Sequence, residues 1–466
     1  MEISQFSQMV VESLGVEPTQ QQRALIDALC RFCSKQTPSL SVFLLNGYAG
    51  TGKTSVVAAL VKSLRAVRYH TVLLAPTGRA AKVLSLMADK KALTIHRKIY
   101  RADAMDNYVS VAGVADNPHR NTLFIVDEAS MIGDEEESSL LDDLIQYVYS
   151  GDGCRMILVG DTAQLPPVGC SESPAMSVAR LHQKGLRVSR AVLTQTVRQT
   201  AQSGILYNAT LLRRQMKLEQ LPVPRLRVKP FGDVVVVQGE DLADSLSSSY
   251  SNPGIHDTIL ITRSNKRAMQ FNLAIRQTIL EKEEVLSRQE PLLIAKNNYF
   301  WTSKIKDADF IANGDIVTVS HIYGTEVRGF LRFADVALTF ADRDLTMDAK
   351  IILNALTAEN AGLQPEHEQQ LMQLALNDMG PDAANNPAAR ARALRTDPYY
   401  NALRVKYAYA VTCHKAQGGQ WESVYVDLGF IPDEAATTPD FYRWLYTAIT
   451  RARRRLTLIS PQLPID

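Results

Sequence analysis

Apolar and polar positions alternate in blocks along the chain. Short apolar runs, Val42 to Leu45, Thr71 to Ala75, Leu123 to Val126 and Met156 to Val159, are separated by stretches in which apolar residues recur at helical spacing. An apolar run of about 4–8 residues between turn signals predicts a strand buried on both faces. Strands alternating with helices predict a parallel sheet covered by helices on each side. Residues 1–17 read as a leading amphipathic helix with Phe6, Met9, Val10 and Leu14 on one face. Pro18-Thr19 opens a second helix, with Thr19 as its N-cap. Runs at Val234 to Val237 and Thr258 to Thr262 predict a second sheet, and Ile316 to Val319 reads as another strand. Val327 to Phe333 and Val336 to Phe340 read as further short strands, and residues 344–398 as helices interrupted at Pro365, Pro381 and Pro387. The fold class is α/β.

The first apolar run breaks into Gly47-Tyr48-Ala49-Gly50-Thr51-Gly52, then Lys53-Thr54-Ser55 and a helical stretch. A strand, Gly-x4-Gly-Lys-Thr and a helix start make a phosphate-binding loop. Its glycines let successive N–H groups curl toward phosphate oxygens, and the helix N-terminus adds partial positive charge. Gly47, Ala49, Gly50, Thr51, Gly52, Lys53, Thr54 and Ser55 are the candidate nucleotide contacts. Lys53 is placed to reach the β and γ phosphates and the Thr54 hydroxyl to ligate Mg²⁺, so the predicted ligands are ATP and Mg²⁺.

Leu123 to Val126 ends in Asp127-Glu128. Charge at the end of an apolar strand is costly unless used. Asp127 is the candidate Mg²⁺ ligand and Glu128 the general base that polarises the attacking water. Gly160-Asp161-Thr162-Ala163-Gln164-Leu165-Pro166-Pro167 follows the next run. There Gln164 is placed to sense the γ-phosphate, on a loop stiffened by two prolines. Gln22, near a helix start and shortly before the P-loop, carries an amide able to read an adenine edge. A solvated surface glutamine fits that position equally.

Composition narrows the picture. With 51 basic and 49 acidic side chains the net charge is +2, so any nucleic-acid site must be a local groove. Hydrophobic residues at 46% and charged residues at 21% are those of a soluble globular protein, and 466 residues exceed one core and predict two or three domains. No apolar run reaches membrane-spanning length and the first residues lack a leader pattern, so a cytoplasmic protein is expected. Five cysteines, an odd number, read as reduced thiols. Cys30 and Cys33 fall within a helical pattern with no second ligand pair.

In order, Thr19-x-x-Gln22, Gly-x4-Gly-Lys-Thr, Ala75-Pro76-Thr77-Gly78-Arg79-Ala80-Ala81, Thr94-Ile95-His96, Val126-Asp127-Glu128-Ala129-Ser130 and Gly160 to Val168 resemble the motifs of superfamily 1 helicases, specifically the RecD-like, Dda and Pif-type branch. Val192 to Gln199 resembles the motif whose arginine crosses the cleft to the γ-phosphate, which implies Arg198 as one finger. Tyr407 to Gly418 resembles the family's DNA-contacting and coupling motif, and Tyr446 to Arg453 its last, with Arg451 as the second finger. The resemblance implies two RecA-like lobes around one ATP, single-stranded DNA held across both, 5′-to-3′ movement and an inserted SH3-like barrel. Two positions depart from the pattern. Gly418-Gly419-Gln420 stands where Gly-x-Glu is common, and Ala416 where Ser is frequent.

The layout expected from this is an N-terminal helix over 1–18, a first lobe over 19–190 with a hairpin insertion about 97–121, a second lobe over 191–319 and 405–466, and an inserted SH3-like and helical domain over 320–404. A surface excursion fits the hairpin region equally. The candidate DNA contacts are Thr77, Gly78, His96, Asn265, Thr412, His414 and Lys415, which supply backbone-facing donors that ignore sequence. Expected partners are single-stranded DNA and single-to-double-strand junctions, with a monomer and no membrane. RNA as the strand, or nucleotide-gated binding without strand separation, remain open readings. A small-molecule P-loop kinase has no use for a second lobe with its own arginine motifs.

Overall fold

The computed structural model describes residues 2–100, 113–133, 139–196, 203–303, 305, 310–340, 345–358, 363–377 and 386–466. Two helices lead in, α1 (Ile3–Leu14) and α2 (Gln20–Phe32). Thr19 caps α2 through a capping box: its hydroxyl accepts from the Gln22 N–H while the Gln22 side chain accepts from the Thr19 N–H.

The first lobe is a six-stranded sheet of β1 (Ser41–Gly47), β2 (Thr71–Ala75), β3 (Ala92–Thr94), β4 (Leu123–Val126), β5 (Arg155–Gly160) and β6 (Arg187–Leu193). All its pairings are parallel, in the order β3-β2-β4-β5-β1-β6. Alternate residues of β1 face opposite cores. Phe43 and Leu45 pack with Val56, Val57 and Leu60 of α3 (Lys53–Ala66) and with Ile26 and Leu29 of α2. Val42 and Leu44 pack with Leu141, Leu144 and Tyr147 on the other face. Helices on both faces are why these strands read as unbroken apolar runs. β1 lies inside the sheet, so its carboxyl end opens into the crevice where open α/β sheets hold ligands.

The second lobe is a five-stranded sheet built from β7 (Val234–Val237) and β8 (Thr258–Thr262) together with three strands from the end of the chain. Between them, β9 (Pro291–Ile294), β10 (Ile316–Arg328), β11 (Leu331–Phe340), β12 (Leu345–Ile352) and β13 (Leu403–Tyr407) close into a barrel. The chain then returns through β14 (Ala410–Thr412), β15 (Trp421–Asp427) and β16 (Ala452–Ile459), giving the parallel order β14-β8-β15-β16-β7. Two parallel sheets flanked by helices, each with its own core, bear out the α/β two-lobe reading.

Three details differ from the sequence reading. Val327 to Phe333 is not one strand: Gly329, at φ +60°, and exposed Phe330 turn β10 into β11. The stretch read as helical from residue 344 begins with β12, whose Met347, Ala349 and Ile351 face the core at the period of two that a strand requires. The barrel also starts upstream of residue 320, because Ile294 pairs with Val405 and Leu293 with Ile316. Helices Pro365–Asn377 and Pro387–Thr396 come after β12. Tyr100 bridges Val114 in antiparallel sense, and the rest of the expected hairpin, with its Asp106-Asn107 turn, lies outside the described residues.

Candidate active site

The P-loop leaves β1 and curls into α3, with Gly50 and Gly52 in the left-handed region at φ +74° and +79°. A methyl group at Gly47 would sit 2.6 Å from Lys53 Cγ, so glycine is what lets the lysine fold back over the loop. Lys53 Nζ donates to the Tyr48 carbonyl at 3.2 Å. Thr51 is fully buried and its hydroxyl donates to the same carbonyl at 2.7 Å. Ala49 and Ser55 lie on this loop and its helix as the motif requires.

Thr54 Oγ1 and Asp127 Oδ2 lie 3.3 Å apart. Burial pushes the Asp127 carboxyl up, against the pull of the Glu128 N–H, Lys53 and Thr54. The Glu128 carboxyl is raised by burial and then by the neighbouring Asp127 charge, with Arg451 and Lys53 drawing it back. Glu128 has φ +53°, a left-handed conformation that a non-glycine residue holds only under constraint from its surroundings. Hydroxyl and carboxylate oxygens suit a hard cation. Among the described residues no group of three or more His, Cys, Asp or Glu forms a cage. Mg²⁺ is a cation that takes oxygen donors of this kind.

Gln164 is buried, and its Oε1 has no partner among the described residues. An unpaired buried amide oxygen beside a P-loop is what a site awaiting a ligand presents. Gln22 behaves otherwise. Its oxygen is taken by the α2 cap and its Nε2 donates to the Thr51 carbonyl at 3.0 Å, so it braces the P-loop from outside. Gln21 instead links across to Thr194 and Gln195, whose N–H groups donate to its Oε1 at 2.8 and 3.0 Å. Arg198 lies outside the described residues.

The second lobe reaches this site through helix Pro439–Ile449. The Tyr446 hydroxyl accepts from the Ala49 N–H of the P-loop at 2.9 Å and donates to Asp161 Oδ2 at 2.7 Å. Both side chains are fully buried. Thr447 Oγ1 accepts from the Leu165 N–H at 2.8 Å, and Gln417 Nε2 donates to the Leu165 carbonyl at 2.7 Å. The segment bearing Gln164 is therefore pinned at both ends by the other lobe. Arg451 is buried, its guanidinium donating to the carbonyls of Thr447 and Gly419 and to the Thr450 hydroxyl. From there its charge still acts on Glu128. Tyr446, Asp161, Thr447 and Gln417 were not assigned these roles from sequence. Their motifs flag the neighbourhood, but only the fold shows which atoms meet.

Two family descriptions match the chain, an AAA domain over residues 18–222 and a UvrD-like helicase C-terminal domain over residues 407–459. They fall on the two halves that meet at Tyr446 and Asp161. The chain is similar to the superfamily 1 helicases of the RecD-like, Dda and Pif type. It is 33% identical over 168 residues to the ATP-dependent RecD2 DNA helicase of Deinococcus radiodurans, covering 36% of this chain and 21% of that one. It is 27% identical over 258 residues to the ATP-dependent DNA helicase Dda of Enterobacteria phage T4, covering 53% and 56%. The chain thus spans about a fifth of the first relative and just over half of the second. Among solved structures, Pif1 helicase from Bacteroides in complex with ADP-AlF3 and ssDNA is 16% identical, with 97% of this chain and 95% of that one covered and a TM-score of 0.48.

The candidate DNA contacts are unevenly placed. Thr77 caps helix Gly78–Ala88 after β2, and a Cβ on Gly418 would approach its hydroxyl to 3.1 Å, so Thr77 and Gly418 face each other across the lobes. Gly78, the first residue of that helix, is buried. Arg79 bridges further, donating to the Gln420 carbonyl at 3.0 Å with its guanidinium 3.9 Å from the Trp421 ring centroid. Gln420 turns its own side chain to Arg453, whose Nε donates to Oε1 at 3.3 Å. Ala416 is fully buried, which leaves no room for solvent at the position where serine is frequent.

Thr412 ends β14 in register with Thr262 of β8, and His414 is exposed in the next turn. Lys415 Nζ donates to Asn313 Oδ1 just before β10 of the barrel. Burial lowers the basicity of Lys415. His96 packs between Tyr100 and Phe310, at 5.7 and 5.6 Å, with its buried Nδ1 unpaired among the described residues. Phe310 in turn stacks on Tyr299 at 4.8 Å. Asn265 is exposed at the start of helix Asn265–Ala274, after β8.

Proposed function

We propose that the chain is an ATP-driven DNA helicase and translocase that moves on single-stranded DNA 5′ to 3′ and separates duplex. The carrying observation is the Tyr446 hydroxyl, which touches the P-loop of one lobe and the Asp161 carboxylate that precedes Gln164 while belonging to the other lobe. A nucleotide that orders the P-loop is thereby linked to the position of the second lobe.

Thr54 and Asp127 would hold Mg²⁺, which, when bound, neutralises charge on the phosphate oxygens. Lys53 is set to bind the β and γ phosphates, and Gln164 to orient the attacking water or the γ-phosphate. Glu128, whose carboxyl is raised by burial, accepts the proton of that water. Arg451, and Arg198 by resemblance, supply positive charge as it builds on the phosphoryl group, an effect worth on the order of a thousandfold or more. Between lobes, Thr77 and Gly418 meet where the ends of β2 and β14 converge, and Lys415 and His414 lie on the next turn. These residues are assigned to the strand backbone, and the alternating grip of the two lobes gives stepping.

ATP hydrolysis is to be measured with and without single-stranded DNA, using Lys53→Ala as the blank. Stimulation by DNA that the variant lacks supports the motor. DNA-independent hydrolysis would sink it.

A further inference from the structure

At the Tyr48 end of the P-loop a cleft of about 210 Å³ opens between the lobes. Tyr48 and Thr162 wall it on one side, and Arg213, Lys217 and Arg443 on the other. Among the described residues its lining holds three cations and no carboxylate. It is smaller than the roughly 300–1,000 Å³ of pockets for organic ligands, but several times the volume of about 30 Å³ that one water occupies. The size suits a small hydrated oxyanion.

Arg213 gives the cleft its chemistry. Lying near the end of helix Gly204–Gln215, it is only 8% exposed, with its guanidinium carbon 4.2 Å from the Tyr48 ring centroid. Nη2 donates to Thr210 Oγ1 at 3.1 Å, whereas Nη1 is buried and has no partner among the described residues. A guanidinium does not shed its proton when buried, so its unmet donor calls for an acceptor, and its planar fork matches tetrahedral oxyanions. The other wall belongs to the nucleotide site. The Tyr48 carbonyl holds the Lys53 ammonium, and Thr162, two residues before Gln164, is tied to Asn46 at the end of β1 by two hydrogen bonds of 2.9 and 3.2 Å.

We infer that this cleft takes the inorganic phosphate set free by hydrolysis, with Arg213 as its anchor and Lys217 and Arg443 at its rim. The inference rests on the ATPase reading above and adds a product site to it. Phosphate bound there sits against the P-loop side chain of one lobe and two helices of the other, so its departure removes an anion shared between lobes.

The test is equilibrium binding of radiolabelled inorganic phosphate to the full chain saturated with Mg-ADP, so that the P-loop itself is filled. One phosphate per chain is expected, weakened at least tenfold by Arg213→Met and several-fold by Lys217→Met. Lys217 is exposed, so that variant keeps the test decisive if Arg213→Met does not fold. Binding that neither substitution changes, or no binding by the unaltered chain, overturns the proposal. Failure to take up ADP would be seen before phosphate is added and would count against the nucleotide reading itself. Phosphate binding is then measured without nucleotide, where the same two variants decide.

Discussion

Tyr446→Phe is the sharpest perturbation the interface offers. It removes one oxygen and keeps a ring that is fully buried in the second-lobe core. Two hydrogen bonds are lost, one to the Asp161 carboxylate at 2.7 Å and one from the Ala49 N–H at 2.9 Å. A hydrogen bond to a charged group contributes about 1.5–3 kcal/mol, and a buried donor left without an acceptor costs about 1–3 kcal/mol. Asp161 keeps the Ala163 N–H at 3.0 Å, which limits the damage, so the expected total is about 2–4 kcal/mol. The assay is a double-mutant cycle with Asp161→Asn, read by chemical denaturation and by DNA-stimulated ATP hydrolysis. Coupling of at least about 1 kcal/mol is expected between the two positions. Because the hydroxyl positions the Gln164 segment rather than binding phosphate, kcat should fall tenfold or more while KM for ATP moves less. Effects that add to within about 0.5 kcal/mol, with DNA stimulation intact, would refute the linkage.

Glu290→Ala should be the most damaging single change in the junction between barrel and second lobe. Glu290 is fully buried and accepts from Arg276 Nε at 2.5 Å, the Ser287 N–H at 2.9 Å and the Tyr409 hydroxyl at 3.1 Å. Stranding the buried Arg276 costs about 3–5 kcal/mol, visible as a lower urea midpoint. Lys415→Ala should weaken single-strand binding and flatten the slope of log K against log salt by about 0.7; an unchanged slope would remove Lys415 from the backbone contacts. Burial pushes the thiols of Cys30, Cys33 and Cys413 up to about 12 from an ordinary 9.0 and raises Cys154 as well. Folded values above unfolded ones give stability that is complete below pH 9 and lost as pH climbs toward 12. At pH 8 a thiol reagent should therefore modify the buried Cys30, Cys154 and Cys413 only after unfolding.

The features legible in the sequence were local ones. β1, β2, β4 and β5 stand out because strands covered on both faces must be apolar throughout, and the Gly-x4-Gly-Lys-Thr turn marks where β1 ends and α3 begins. The barrel was harder. Its β12 carries Asp348 and Lys350 between buried residues, and Lys350 is itself buried against Glu326 and Asp335, so a buried strand looked like a polar helix. Gln22 shows what motif reasoning leaves out, since its amide also closes the α2 cap and braces the Thr51 carbonyl. Arg213 gave no signal, because an arginine at the end of an amphipathic helix usually faces water. Its burial depends on Tyr48, 165 positions earlier in the chain, reaching it across the cleft.

The central claim, that nucleotide hydrolysis between these lobes drives directed movement along one strand, is tested most directly by strand separation. Matched DNA duplexes carrying either a 5′ or a 3′ single-stranded tail are mixed with the chain and ATP, with Lys53→Ala alongside. The account predicts opening of the 5′-tailed duplex alone, and none by the variant. Opening of the 3′-tailed duplex alone would contradict the direction, and opening of neither while DNA still stimulates hydrolysis would contradict unwinding itself.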